Sequence, residues 1–285
     1  MMEMAVYYCN NRCITPSDCP NTGSALNALD QAVAFYTGSL EGPTGSGNGV
    51  LLYELADARA IDFKTAGPNG NSVSGTSKVN IDIFQQFSSM QNSLLSQDCM
   101  EASIGKQYIA SKMAVPLIQG TLRYAYLTDT NPSSPVKIAA EGAVYSAAIL
   151  PIVAACNQND AATIYQNMQT NQGNTCDFVK VKDALENNYA CMGIQPSDVG
   201  GLWDAAKNNY YPGAGPSISN TGVNVGLAVG LSLGGLFLAL LVGILCLTHG
   251  YVEEEKEILF KDHSSGNEEG HVDDLDEPEH PPEIS

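Results

Sequence analysis

The chain has 285 residues, of which 44% are hydrophobic and 15% charged: enough apolar material for one globular domain plus a membrane segment, and too much for a disordered chain. Its formal net charge is −18. No clustered run of Lys and Arg supplies the basic stripe that counterion release requires, which excludes nucleic acid as a partner.

The charge and the cysteines are both unevenly spread. Before Val225 there are 18 acidic and 11 basic residues, whereas 13 acidic and 2 basic residues follow Leu247. Cys9, Cys13, Cys19, Cys99, Cys156, Cys176 and Cys191 precede an apolar run that contains Cys246, and no cysteine follows it. This one-sidedness predicts disulfides in an oxidising exterior and a tail in a reducing interior. The Cys9/Cys13 spacing lacks a second pair at zinc-ligand distance. Seven is odd, so at least one of these cysteines has no partner within the chain. The N-terminus MMEMAVYYCNNRC has neither the basic nor the apolar region of a signal peptide. We therefore read the sequence as a fragment of an exported protein whose leftover cysteine pairs with an upstream segment.

Residues 1–21 read as a cysteine-rich lead, followed by an ectodomain over 22–210. Leu26, Leu29, Val33 and Tyr36 recur at three- and four-residue steps in an amphipathic helix that Thr22 or Ser24 caps and Gly38 ends. Gly and Pro make 41–49 a loop. Helices are predicted over 50–64, 80–96, 103–127 and 136–156, the last two kinked at Pro116 and Pro151. Shorter ones are expected over 161–169, 177–190 and 197–207. Strand alternation is hardly visible, so the expected fold is mainly α: an extracellular helical bundle with disulfides and one C-terminal transmembrane helix.

A flexible stalk at 211–224 leads to that helix, 225–247, whose 23 uncharged residues at about 1.5 Å each cover a bilayer core of about 30 Å. Gly226, Gly230 and Gly234 form a small-residue row of the kind that packs helix dimers, implying a homodimer within membrane lipid. The acidic tail over 248–285 is too polar to fold alone. Cysteine placement orients the chain as a single-pass, type I plasma-membrane protein. In the tail, Glu254 stands four residues before Ile258 and Leu259, resembling the acidic dileucine signals read by clathrin adaptors, which implies cycling to endosomes.

All four histidines follow the apolar run. That removes Ser-His-Asp and Cys-His catalysis and HExxH zinc chemistry from the ectodomain, and with no P-loop or dinucleotide fingerprint the chain reads as a non-enzyme. Tyrosine is abundant instead, with 12 of 13 before the span. Phenolates and carboxylates are hard oxygen donors suited to a trivalent cation. Tyr53 and Asp57 are four residues apart, with Arg59 close by. Tyr36 lies five residues before Glu41, Arg123 adjoins Tyr124, and Glu141 and Tyr145 again stand four apart. Two of the chain's three arginines thus sit beside Tyr/acid groups, where a guanidinium can hold an anion bidentately. The alternative for each arginine is an ion pair with Asp57 or Asp129.

The segments AVAFYTGSLEG (32–42), GVLLYELADARAIDFKTAG (49–67), SKVNIDIF (77–84), MAVPLIQGTLRYAY (113–126) and EGAVYSAAILP (141–151) resemble the low-iron-inducible periplasmic proteins of green algae and the phytotransferrins of marine algae. The likeness covers about residues 20–210. It implies a cell-surface receptor for ferric iron, with carbonate as synergistic anion, that is internalised by endocytosis. Tyr36, Glu41, Tyr53, Asp57, Tyr124 and Glu141 are the expected metal ligands, chosen for their chemistry within the matching blocks, with Arg59 and Arg123 as the anion-holding pair. The competing reading is a surface adhesion or structural protein whose tyrosines belong to the core.

Overall fold

The computed structural model describes residues 1–20, 23–39, 42, 49–131, 136–170 and 176–217. The segment read as a transmembrane helix, with Gly226, Gly230 and Gly234, lies outside the described residues. So do the tail with Glu254, Ile258 and Leu259, and the expected ligand Glu41.

Helices dominate as expected: α1 (Met2–Asn10), α2 (Ala25–Thr37), α3 (Leu52–Phe63), α4 (Lys78–Leu95), α5 (Cys99–Thr130), α6 (Val136–Cys156), α7 (Gln158–Met168), α8 (Phe178–Glu186) and the single turn α9 (Pro196–Val199). Local chemistry sets their starts. The Ser24 hydroxyl accepts from the Asn27 amide, Ser77 from Asn80, Asp98 from Glu101 and Asp177 from Lys180, each satisfying a first-turn N–H that has no helical acceptor. At the far end of α2, Gly38 adopts φ 71°, a left-handed conformation that strains residues bearing a Cβ.

Three sequence expectations need correction. Residues 2–10, read only as part of a cysteine-rich lead, form helix α1. The helix expected over 197–207 stops at Val199, and a two-residue hairpin follows, pairing β1 (Trp203–Asp204) with β2 (Asn209–Tyr210). Gly200 explains the break: at φ 69° its backbone passes so near Phe63 that an added Cβ would lie 2.6 Å from the Phe63 carbonyl oxygen. The third concerns the stalk: Ala214 is buried, and its carbonyl accepts from the Leu202 amide at 2.9 Å. The chain thus stays on the bundle for several residues beyond Tyr210.

Helix α5 is the axis of the bundle, packed along its length by α4 and α6 and touched by α1, α3, α8 and α9. Its Ile109, Val115, Ile118 and Ala125 are wholly buried. Both α5 and α6 run unbroken through their prolines, Pro116 and Pro151. Two polar contacts bind α9 to α5. Buried Lys112 pairs with Asp198 at 2.6 Å, and buried Gln119 donates through Nε2 to the Val199 carbonyl at 2.9 Å and to the Thr65 hydroxyl at 3.2 Å.

Disulfides Cys9–Cys99, Cys13–Cys19 and Cys156–Cys191 staple α1 to the start of α5, close the loop after α1, and tie the end of α6 to the turn after α8. The odd cysteine is Cys176, buried against Met168 and the Ala125 carbonyl. Burial pushes its thiol up to about 12, with Asp129 and Asp177 adding to the rise. Among the described residues, α6 is long and apolar enough to cross a membrane by length and composition. Here it is a bundle helix, buried through Gly142, Ser146, Ile149 and Val153.

Candidate functional site

Helix α3 carries polar residues on two faces, and each face gathers a different set of the residues singled out by sequence. Tyr53 and Asp57, one turn apart, lie toward α4; Arg59 and Asp62, three residues apart, share another side.

The first set is a closed knot. Tyr36 on α2 and Tyr53 on α3 are 2% and 4% exposed, with ring centroids 6.1 Å apart edge to face. The Tyr36 hydroxyl donates to Asn80 Oδ1 at 2.5 Å. Asn80 Nδ2 donates in turn to the Tyr53 carbonyl at 2.9 Å and to Asp57 Oδ1 at 2.7 Å, where the Ser77 amide also donates at 2.6 Å. Phe84 and Phe87 wall the knot. Burial, with smaller contributions from Asp57 and Tyr53, raises the Tyr36 phenol far above its ordinary value. Asn80 and Ser77 were not foreseen, although a buried Asn at the first turn of an amphipathic helix is itself a signal of a local partner.

The second set is half-open. Asp62 sits between the two arginines, with Oδ1 2.6 Å from Arg123 Nη1 and Oδ2 3.1 Å from Arg59 Nη2. The ion-pair alternative holds for both arginines with a different acid, Asp62, in place of Asp57 or Asp129. Asp57 serves Asn80 and Ser77, and Asp129 accepts from the Phe178 amide. One carboxylate does not saturate two guanidinium forks in this arrangement: among the described residues Arg59 Nε and Nη1, Arg123 Nε and the Asp62 Oδ2 acceptor are buried with no hydrogen-bond partner. Such orphaned, charged donors are unfavourable as they stand and are relieved by an anion.

Beside the arginines, α5 and α6 present Tyr124, Glu141 and Tyr145. The Tyr124 and Tyr145 rings stack with centroids 5.4 Å apart at 14°. Burial raises the Tyr124 phenol above its ordinary value first; its hydrogen bond to Glu141 and that residue's charge add to the rise, while Arg59 opposes it. Gly120 makes the stack possible, because a Cβ there would lie 2.4 Å from Tyr145 Cδ1. Gly142 does the same beneath Tyr124, at 3.1 Å from its Cβ.

Of the expected site residues, Arg59, Arg123, Tyr124 and Glu141 are therefore brought together, and Tyr36, Tyr53 and Asp57 form a separate group. Asp62 was missed as the shared counter-ion, though its i, i+3 spacing from Arg59 was visible. Among the described residues no three His, Cys, Asp or Glu converge. No known protein family, curated protein or solved structure matches the chain.

Proposed function

We propose that the chain is a non-enzymatic, iron-binding surface receptor in which the α3/α5/α6 cluster captures Fe³⁺ together with carbonate. One observation carries this reading: two arginines bear buried N–H donors without acceptors beside a stacked tyrosine pair and a carboxylate. Carbonate is a planar dianion able to accept from both guanidinium forks. Its remaining oxygens would face the cation, with the Tyr124 and Tyr145 phenolates and Glu141 as hard donors. The charges nearly balance. Fe³⁺ and two guanidinium groups bring +5; carbonate, two phenolates, Glu141 and Asp62 bring −6.

The remaining parts of the reading rest on the sequence: a type I membrane anchor at 225–247, dimer packing through Gly226, Gly230 and Gly234, and internalisation through Glu254, Ile258 and Leu259 by a clathrin adaptor. The Tyr36–Asn80–Asp57 knot favours a structural role for that group alone, as the adhesion or scaffold alternative would have it for every tyrosine.

The test is a ferric titration followed in the visible tyrosinate-to-iron band. Tyr124→Phe is expected to remove or strongly diminish the band. Arg59→Gln is expected to weaken iron binding in bicarbonate about tenfold or more, the scale of one lost charged hydrogen bond. An unchanged band in both variants would direct the function elsewhere.

A further inference from the structure

A second site lies apart from the arginine cluster. A cavity of about 500 Å³ opens between the end of α3, the turn around Gly70, helix α9 and the β1–β2 hairpin, within the size range of small-molecule sites. Its wall includes Lys64, Asn71, Gln195, Ser197, Tyr210 and Ser217.

Lys64 stands out. The other seven lysines among the described residues (Lys78, Lys106, Lys112, Lys137, Lys180, Lys182 and Lys207) each pair with a carboxylate. In a chain of net charge −18, no described carboxylate pairs with Lys64. It ends α3 in the left-handed conformation at φ 56°, and its Nζ rests 3.7 Å from the centre of the Trp203 ring. Cation–π contact steadies the ammonium without neutralising it. Trp203 also packs edge to face on Tyr210 at 4.9 Å, so Lys64, Trp203 and Tyr210 form one rigid stack at the cavity.

The remaining wall groups are uncharged: two amides and two hydroxyls besides Tyr210. Ser217 Oγ is buried with no hydrogen-bond partner among the described residues. A single fixed charge with amides and hydroxyls suits a monoanion carrying several hydroxyl groups, rather than a phosphate dianion or an apolar ligand. We propose that this cavity binds an acidic sugar of the uronate class. Lys64 pairs with the carboxylate. Asn71, Gln195, Ser197 and Ser217 exchange hydrogen bonds with the ring hydroxyls, and Tyr210 offers an aromatic wall to the sugar ring.

Trp203 is the chain's only tryptophan and touches the wall residues Lys64 and Tyr210, so its emission reports on changes at them. Full-length protein titrated with D-glucuronate is expected to show a saturable emission change, with D-glucose and inorganic phosphate each about tenfold or more weaker. Lys64→Gln is expected to weaken glucuronate binding about tenfold. Should that variant fail to fold, Asn71→Ala, at an exposed position, is expected to weaken binding severalfold with its thermal melt unchanged. The proposal is overturned if glucuronate gives no saturable change, if glucose binds as well, if phosphate binds more tightly, or if the folded variants bind as the parent does.

Discussion

Tyr36 and Tyr124 are both phenols held above their ordinary pKa, yet their hydroxyl groups face different surroundings. The Tyr36 hydroxyl is committed to Asn80 and the residue is 2% exposed, whereas Tyr124 meets Glu141 at a half-buried edge beside cationic donors that lack acceptors among the described residues. Tyr36→Phe would leave Asn80 Oδ1 buried without its donor. It should therefore destabilise the fold by about 1–3 kcal/mol in chemical denaturation and leave the iron band in place. Loss of the band instead would make Tyr36 a ligand. Arginine and tyrosine residue types were legible in the sequence, but their grouping was only half so. Residues one turn apart on a helix can be paired by spacing. Asp62 joins arginines from two helices, a relation that depends on how α3 lies against α5, which no local pattern encodes.

Between elements, the α5–α6 pair sets the geometry of the stacked tyrosines, and Gly120 leaves the space that the Tyr145 ring fills. Gly120→Ala places a methyl group in the Tyr145 ring. The expected outcome is an overpacking loss of about 1–3 kcal/mol together with a weakened tyrosinate band, while circular dichroism still reports the same helix content. An unchanged band would show that the stack is dispensable. The Cys156–Cys191 bridge holds the other end of α6 across a sequence separation of 35 residues. Loop-closure entropy assigns it about 4 kcal/mol, so Cys156→Ala/Cys191→Ala should lower the melting temperature markedly. The longer helices were legible because apolar residues repeat at helical steps over several turns, as in Ile83, Phe87, Met90 and Leu94 on α4. Helix α1 was obscured by its cysteine and tyrosine content. Strands of two residues, like Trp203–Asp204, are too short for alternation to register.

Across the whole molecule, pH acts through buried acids in two directions. Cys176 has its folded pKa raised from 9.0 to about 12, so its contribution to stability is full below about pH 9 and is lost as pH climbs toward 12, where only the unfolded thiol ionises readily. Cys176→Ala should therefore soften the loss of stability between about pH 9 and 11, measured by denaturant midpoints; an unaltered alkaline slope would contradict the burial argument. Iron binding runs the other way. Each phenol that becomes a ligand releases a proton that burial holds tightly, so affinity should rise about tenfold or more per pH unit near neutrality and fall as a compartment acidifies. The mainly helical, disulfide-bearing architecture followed from helical periodicity repeated along the chain and from the distribution of its cysteines, since both are patterns of the chain as a whole. The fate of the odd cysteine did not, because burial depends on tertiary packing.

The most direct test of iron capture with a synergistic anion is a ferric titration of the full-length protein with and without bicarbonate, read in the visible tyrosinate-to-iron band. The account predicts a band that appears only when bicarbonate is present and saturates with added iron. Folded protein that binds iron equally well without bicarbonate, or that shows no band under either condition, would contradict it.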